Sequence, residues 1–182
     1  MEAVKINDLT KKYKDITAVD NLNLSIKEGE LFSLLGINGA GKTTTIKMLC
    51  CITKADGGDA FLMGKSIVTQ ANEVKKIIAV SPQETAVAEA LTVYENLEFM
   101  CSISRISKKK IEELAELLGL KSVMNKKAGK LSGGYKRRLS IAMALILNPK
   151  ILFLDEPTLG LDVIARSDLW DIIRSLKGKT TI

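Results

Sequence analysis

Histidine is absent from the chain, and only three cysteines are present, Cys50, Cys51 and Cys101. A zinc site of the usual Cys/His kind therefore lacks a ligand set, and an odd number of thiols without metal-ligand spacing reads as reduced, mostly buried small residues. Aromatic residues make up 4% of the sequence. None interleaves with the basic runs Lys108–Lys110 and Lys136–Arg138, as a base-stacking surface would require. Despite the net charge of +6, those runs read as solvated helix faces, and no nucleic-acid partner is expected. No apolar stretch approaches the roughly 18 residues that a membrane-spanning helix needs. The longest, Ile141 to Leu147, is broken by Asn148, Pro149 and Lys150. The first residues alternate like a strand where a signal peptide would need a basic end and an apolar block, so a cytosolic chain is expected.

A hydrophobic share of 46% and a charged share of 26% are those of a globular protein. The length of 182 residues suits one domain, with or without an inserted subdomain. Repeats and low-complexity tracts are missing. Val4 and Ile6, then Leu22, Leu24 and Ile26, mark two half-buried strands suited to antiparallel pairing, closed by Glu28-Gly29-Glu30. The run Leu31–Leu35 predicts a short strand, followed by a glycine-rich loop and a helix from Lys42 to about Cys51. Asp56–Asp59 turns the chain, Ala60–Met63 and Ile77–Val80 read as strands, and Pro82 breaks the pattern.

From Thr92 the period becomes helical. Thr92 and Glu95 form a capping box, and Ile111, Leu114, Leu117 and Leu118 carry an apolar stripe ended by Gly119. A further helix runs from Ser132-Gly133-Gly134 to Leu147, and Ile151–Leu154 is a four-residue apolar strand. Asp162 caps a helix through Leu176, Gly178 ends it, and Thr180–Ile182 begins a β-branched strand.

The segment Gly36-Ile37-Asn38-Gly39-Ala40-Gly41-Lys42-Thr43 satisfies the pattern Gly-x-x-x-x-Gly-Lys-Ser/Thr between a predicted strand and a predicted helix, the context this motif requires. Glycines let successive backbone N–H groups point into one concavity, and the helix N-terminus adds partial positive charge. Lys42 is placed for the β- and γ-phosphates of a nucleoside triphosphate, and Thr43 offers a hydroxyl to Mg²⁺, with Thr44 continuing the same helical turn. Downstream, Ile151–Leu154 delivers Asp155 and Glu156: one carboxylate for the metal side, one as a candidate general base for water.

Leu131-Ser132-Gly133-Gly134-Tyr135, just upstream of Asp155-Glu156, resembles the Leu-Ser-Gly-Gly-Gln signature of ABC ATP-binding domains. Its physical content is a serine and two glycines opening a helix, a second anion-binding terminus. The resemblance covers the whole chain. It implies the α/β fold of a P-loop NTPase of the ABC ATPase type: a mostly parallel core sheet, an N-terminal antiparallel β subdomain and an inserted helical subdomain. In that reading, residues 1–182 form one domain. Residues 1–83 and 131–182 make the core and β subdomain, and about 84–130 the helical insertion. Gln83 resembles the Q-loop glutamine that contacts Mg²⁺ and the lytic water. Tyr13 resembles the aromatic residue stacked on adenine, and Leu159–Asp162 the D-loop, with Asp162 as its acid.

The implied activity is hydrolysis of ATP to ADP and phosphate. Lys42, Glu156 and Gln83 would act in catalysis, Thr43, Gln83 and Asp155 on Mg²⁺, and Ser132-Gly133-Gly134 on the ATP held by a second copy. The implied partners are a second ATP-binding domain, as a homodimer, and a transmembrane permease subunit that places the chain at the inner face of the cell membrane. Tyr135 stands where the signature has glutamine, and the following Lys136-Arg137-Arg138 resembles the exporter branch with a separate membrane subunit. Val163 replaces the proline common after the D-loop aspartate. The family's switch histidine falls beyond Ile182, so reduced turnover is expected of a chain incomplete at its C-terminus. The other readings are a soluble ABC ATPase of DNA repair or translation and a regulatory nucleotide-binding module.

Overall fold

The computed structural model describes residues 1–182. Its backbone contacts divide it into two compact units, Met1–Ile78 with Lys177–Ile182, and Ala79–Leu176.

The first unit is built on a four-stranded antiparallel sheet in the order β2-β1-β3-β4. Strands β1 (Glu2–Tyr13) and β2 (Ile16–Lys27) form a long hairpin, and β3 (Gly57–Leu62) pairs with β1 on its other side. The expected antiparallel pairing is therefore present. Ala3, Val4, Ile6 and Leu9 of β1 are all buried. Strict alternation would turn Leu9 away from Ile6. A bulge resolves this: Ile6 faces Leu24 and Leu9 faces Leu22, three residues against two, with Asp8 between them at φ 49°. Asn23 holds the bulge, donating to the Asp8 carboxylate at 2.7 Å and accepting from the Asp8 amide at 3.0 Å. Across the sheet, Gly58 lies so close that a Cβ would stand 2.3 Å from the Asp8 carbonyl oxygen.

The short β4 (Lys65–Ser66) leads to α2 (Ala71–Lys75), which the sequence reading did not foresee. Helix α1 (Lys42–Leu49) buries Thr45, Met48 and Leu49. The strand expected over Leu31–Leu35 is absent. Only the amide of Phe32 and the carbonyl of Glu30 are bonded, both to Ile182 at 2.9 Å, and Leu35 is 87% exposed. An apolar run becomes a strand only where a neighbouring backbone completes its ladder, and here one residue of the C-terminal segment does so. For the same reason Thr180–Ile182 forms no named strand.

The second unit contains β5 (Ile78–Ser81) and β6 (Ile151–Leu154), a parallel pair, and the helices α3 (Val93–Ser104), α4 (Lys109–Leu117), α5 (Gly133–Ile146) and α6 (Val163–Ser175). Ile111, Leu114, Ala115 and Leu118 follow helical spacing and are buried, with Leu139, Ile141, Ile146, Leu152, Leu169 and Ile173 completing the core. Helix α3 starts where the capping box places it: the Thr92 hydroxyl accepts from the Glu95 amide at 3.1 Å, and the Glu95 carboxylate accepts from the Thr92 amide at 2.7 Å. Buried Asn96 stitches the preceding loop to this turn, bonding both backbone groups of Ala88 at 2.8 and 3.1 Å. Cys50 and Cys101 are buried, Cys51 is half-buried, and no disulfide joins the three.

Thr92→Ala removes the cap hydroxyl and is expected to lower unfolding stability by about 1 kcal/mol. Urea denaturation checks this, with the midpoint falling at an unchanged m-value.

Candidate nucleotide-binding site

In the first unit, the loop Gly36–Gly41 leads directly into α1, whose N-cap is Gly41 in the left-handed region at φ 81°. No side chain caps the helix, and the amides of an opening turn have no intrahelical partner of their own. Gly41 is required twice over. Its φ disfavours a side chain, and a Cβ would stand 2.2 Å from the carbonyl oxygen of Ala18 on β2. Gly36 is confined differently, since a Cβ there would meet the Ala40 methyl at 3.0 Å. Gly39, at φ 86°, faces open space.

The loop is tied internally. The Ala40 amide donates to the Ile37 carbonyl at 3.2 Å, and Thr45 returns both its amide, at 2.8 Å, and its hydroxyl, at 3.0 Å, to the Gly41 carbonyl. The ammonium of Lys42 folds over the loop and donates to the carbonyls of Gly36 at 2.7 Å and Ile37 at 3.0 Å. A cleft of about 220 Å³ lies against it, lined by Ala18, Val19, Asp20 and Leu22 of β2 together with Leu34, Leu35, Ala40, Lys42 and Thr45. Ile37 and Asn38 are exposed and Thr43 and Thr44 half-buried. The β2 wall went unread from sequence; the one available signal is the Ala18-Val19 pair inside an otherwise polar stretch. Tyr13, at the tip of the hairpin, is 46% exposed and is not part of the cleft lining; the Lys11 ammonium lies 5.3 Å from its ring centre.

In the second unit, β6 ends in Asp155-Glu156, both half-buried, and the Asp155 amide extends the pairing to the Ser81 carbonyl at 3.1 Å. Glu156 takes φ 46°, an uncommon conformation for a glutamate, which tends to collect at working sites. Gln83 lies just past β5 and is exposed. Ser132 occupies the N-cap of α5, as expected, but its hydroxyl makes no capping bond. Gly134 packs tightly, since a Cβ would stand 3.2 Å from the Ala165 methyl of α6, while one at Gly133 would have ordinary contact with Leu161. Asp162 caps α6, its carboxylate accepting from the Ala165 amide at 2.9 Å.

One sequence expectation is overturned. The run Lys136–Arg138 is not a solvated face. Arg137 is 4% exposed and donates to four backbone carbonyls, those of Pro82, Gln83, Asp155 and Pro157. Lys136 pairs with Glu89 at 2.6 Å and Arg138 with Asp168 at 3.0 Å, with the Arg138 guanidinium 5.5 Å from the Tyr135 ring centre. In the other run, Lys108 pairs with Glu98 and Lys110 with Glu113. Sequence adjacency shows charge but not the carbonyls that folding brings up to it.

No group of three or more His, Cys, Asp or Glu side chains is placed to hold a metal ion. The donors singled out, the Thr43 hydroxyl, the Gln83 amide oxygen and the Asp155 carboxylate, are hard oxygens of the kind Mg²⁺ accepts, and Mg²⁺ commonly completes its shell with phosphate oxygens and water.

A glycine-shaped phosphate loop opening a helix in one unit, and in the other an apolar strand ending in paired acids and a Ser-Gly-Gly helix start, together define a nucleotide-binding domain of the phosphate-loop class. The ABC transporter family model matches residues 19–159, and the chain belongs to that family. It is 37% identical, over 98% of its length, to a probable multidrug ABC transporter ATP-binding protein, YbhF of Escherichia coli. It is 39% identical, over 96% of its length, to the daunorubicin/doxorubicin resistance ATP-binding protein DrrA of Streptomyces peucetius. The chain spans 32% of the first relative and 54% of the second. Among solved structures, the ADP conformation of MJ1267, an ATP-binding cassette of an ABC transporter, superimposes with a TM-score of 0.88 at 27% identity, covering 100% of this chain and 79% of that one. CbiO1 of Clostridium perfringens, part of the transporter complex cbiONQ, gives 0.88 at 27% identity, covering 100% and 77%.

Gly41→Ala is expected to destabilise the fold by at least about 2 kcal/mol, because strain and overlap with the Ala18 carbonyl act together. Gly39→Ala, strained but unobstructed, is expected to cost only about 1 kcal/mol. Parallel denaturation of the two variants separates the contributions.

Proposed function

We propose that this chain binds Mg-ATP at the Gly36–Thr43 loop, hydrolyses it, and thereby drives a membrane permease, most consistently an exporter. The observation that carries the reading is the loop itself: a left-handed glycine at the helix start, an opening turn of amides, and a lysine whose ammonium already rests on loop carbonyls. Phosphate oxygens are stronger acceptors for an ammonium than neutral carbonyls are, so a polyphosphate competes well for Lys42. Family membership and relatives named as ATP-binding proteins support the same reading.

In this account the Gly36–Gly41 backbone, Lys42, Thr43 and Thr44 hold the phosphates, and Tyr13, at the hairpin tip outside the cleft, stacks on the base. Thr43, Gln83 and Asp155 supply oxygens to Mg²⁺, which when bound neutralises charge developing on the phosphate oxygens. Glu156 accepts the proton of the attacking water, with Gln83 assisting in its orientation. Ser132-Gly133-Gly134 and Asp162 serve the nucleotide held by a second copy, making a homodimer the working unit. ATP joining two surfaces and hydrolysis releasing them constitutes a ligand-driven shift between two states that a permease converts into alternating access. Export is favoured by the Lys136-Arg137-Arg138 sequence and by the drug-export names of the relatives. No helix of the chain is long and apolar enough to cross a membrane, so the transport path belongs to the partner, and the chain sits at the cytoplasmic face through it.

Tagged protein recovered from gently solubilised membranes of its source is expected to bring down a multi-spanning subunit in stoichiometric amount. In that complex Glu156→Gln is expected to lower ATP turnover by roughly 100-fold or more while leaving ATP binding intact. Recovery with ribosomes or DNA alone, or undiminished turnover by the variant, would contradict the reading.

A further inference from the structure

Arg137 is the one buried cation, and its hydrogen bonds go to backbone carbonyls. It projects from α5 one turn after Ser132-Gly133-Gly134 and spends its planar fork on backbone alone. Nε donates to the Pro157 carbonyl at 2.9 Å, Nη2 to that of Asp155 at 2.6 Å, and Nη1 to those of Pro82 and, at 3.3 Å, Gln83. These four acceptors lie immediately past the ends of β5 and β6. Pro82 and Pro157 have no N–H with which to continue a ladder, so the chain leaves the sheet at both places and its carbonyls need another donor. One guanidinium satisfies both exits.

We propose that Arg137 is a positioning residue, setting the placement of Gln83 and of Glu156 together by clamping the backbone on which each is carried. Glu156 sits between two clamped carbonyls, those of Asp155 and Pro157, and its φ of 46° is one that the chain would relax if either neighbour were released. The clamp is anchored on the same face of α5 three residues on, where the Ser140 and Ser81 hydroxyls share a buried hydrogen bond of 2.9 Å. Burial pulls the guanidinium pKa below its usual value, and the nearby charge of Asp155 opposes that pull. Lysine is no substitute: an ammonium is a point donor without the flat fork that spans carbonyls from two segments. The inference goes beyond ATP hydrolysis itself, but its catalytic consequence rests on the function proposed above. The hydrogen bonds of Arg137 go to the backbone that carries Gln83 and Glu156, so its loss acts on the chemical step and spares nucleotide affinity.

Two variants test this, Arg137→Lys and Arg137→Met, each read in two ways. Hydrogen–deuterium exchange on the chain without nucleotide is expected to speed up about tenfold in peptides covering 82–87 and 155–161, with α5 and the β1–β3 sheet unchanged. In the membrane complex, kcat is expected to fall roughly 10- to 100-fold for both variants while the affinity for Mg-ATP stays within about threefold of wild type. Unchanged exchange at the two exits, or a rise spread evenly through α5 and the rest of the core, would overturn the proposal. So would full rescue by lysine, or a loss confined to affinity. A wild-type chain that fails to bind Mg-ATP would instead overturn the ATPase reading, and the exchange measurement would still decide on the clamp.

Discussion

The ammonium of Lys42 resting on the carbonyls of Gly36 and Ile37 is the contact from which the rest of the loop takes its meaning. A cation at a helix N-terminus is disfavoured by the helix dipole, so lysine in the first position of α1 is a costly choice for stability alone. It is accommodated because the loop folds its carbonyls around the charge, and the loop can do so only because Gly41 passes within contact of the Ala18 backbone. The hairpin, its Asp8 bulge and the packing of Gly58 against it form the frame that fixes β2, and β2 in turn fixes Gly41. Stability of the sheet and shape of the phosphate loop are thus parts of one arrangement.

The second unit solves a related problem with a different residue. Two short strands end at prolines, and the acids and amide that matter follow directly after those ends. Regular hydrogen bonding cannot reach that far, so a buried guanidinium supplies it. Both units place chemistry where secondary structure stops, and each uses one long cationic side chain to order backbone that no ladder or helix orders.

Features encoded by local chemistry were legible in the sequence. The Thr92–Glu95 box, the α4 stripe and the Asp162 cap each depend on residues within one turn, and each stands in the fold as read; the glycine loop opens α1 as read, without the strand expected before it. Features that depend on what arrives from elsewhere were not. Leu31–Leu35 has the composition of a strand, yet its ladder is limited to Ile182. The Asp8 bulge exists because Leu9 must share a face with Ile6, a demand visible only once the sheet is formed. Arg137 lies in a triplet of basic residues, and nothing in that triplet distinguishes the one that will be buried against four carbonyls from the two that will pair at the surface.

The central claim is that Lys42 exchanges loop carbonyls for the phosphates of ATP. Calorimetric titration of the chain with Mg-ATP, run beside Lys42→Ala, tests it most directly. The account predicts saturable binding by the wild-type chain and an affinity lower by about 10- to 100-fold in the variant, the size of a lost charge-assisted hydrogen bond. Equal affinity in the two proteins would contradict it.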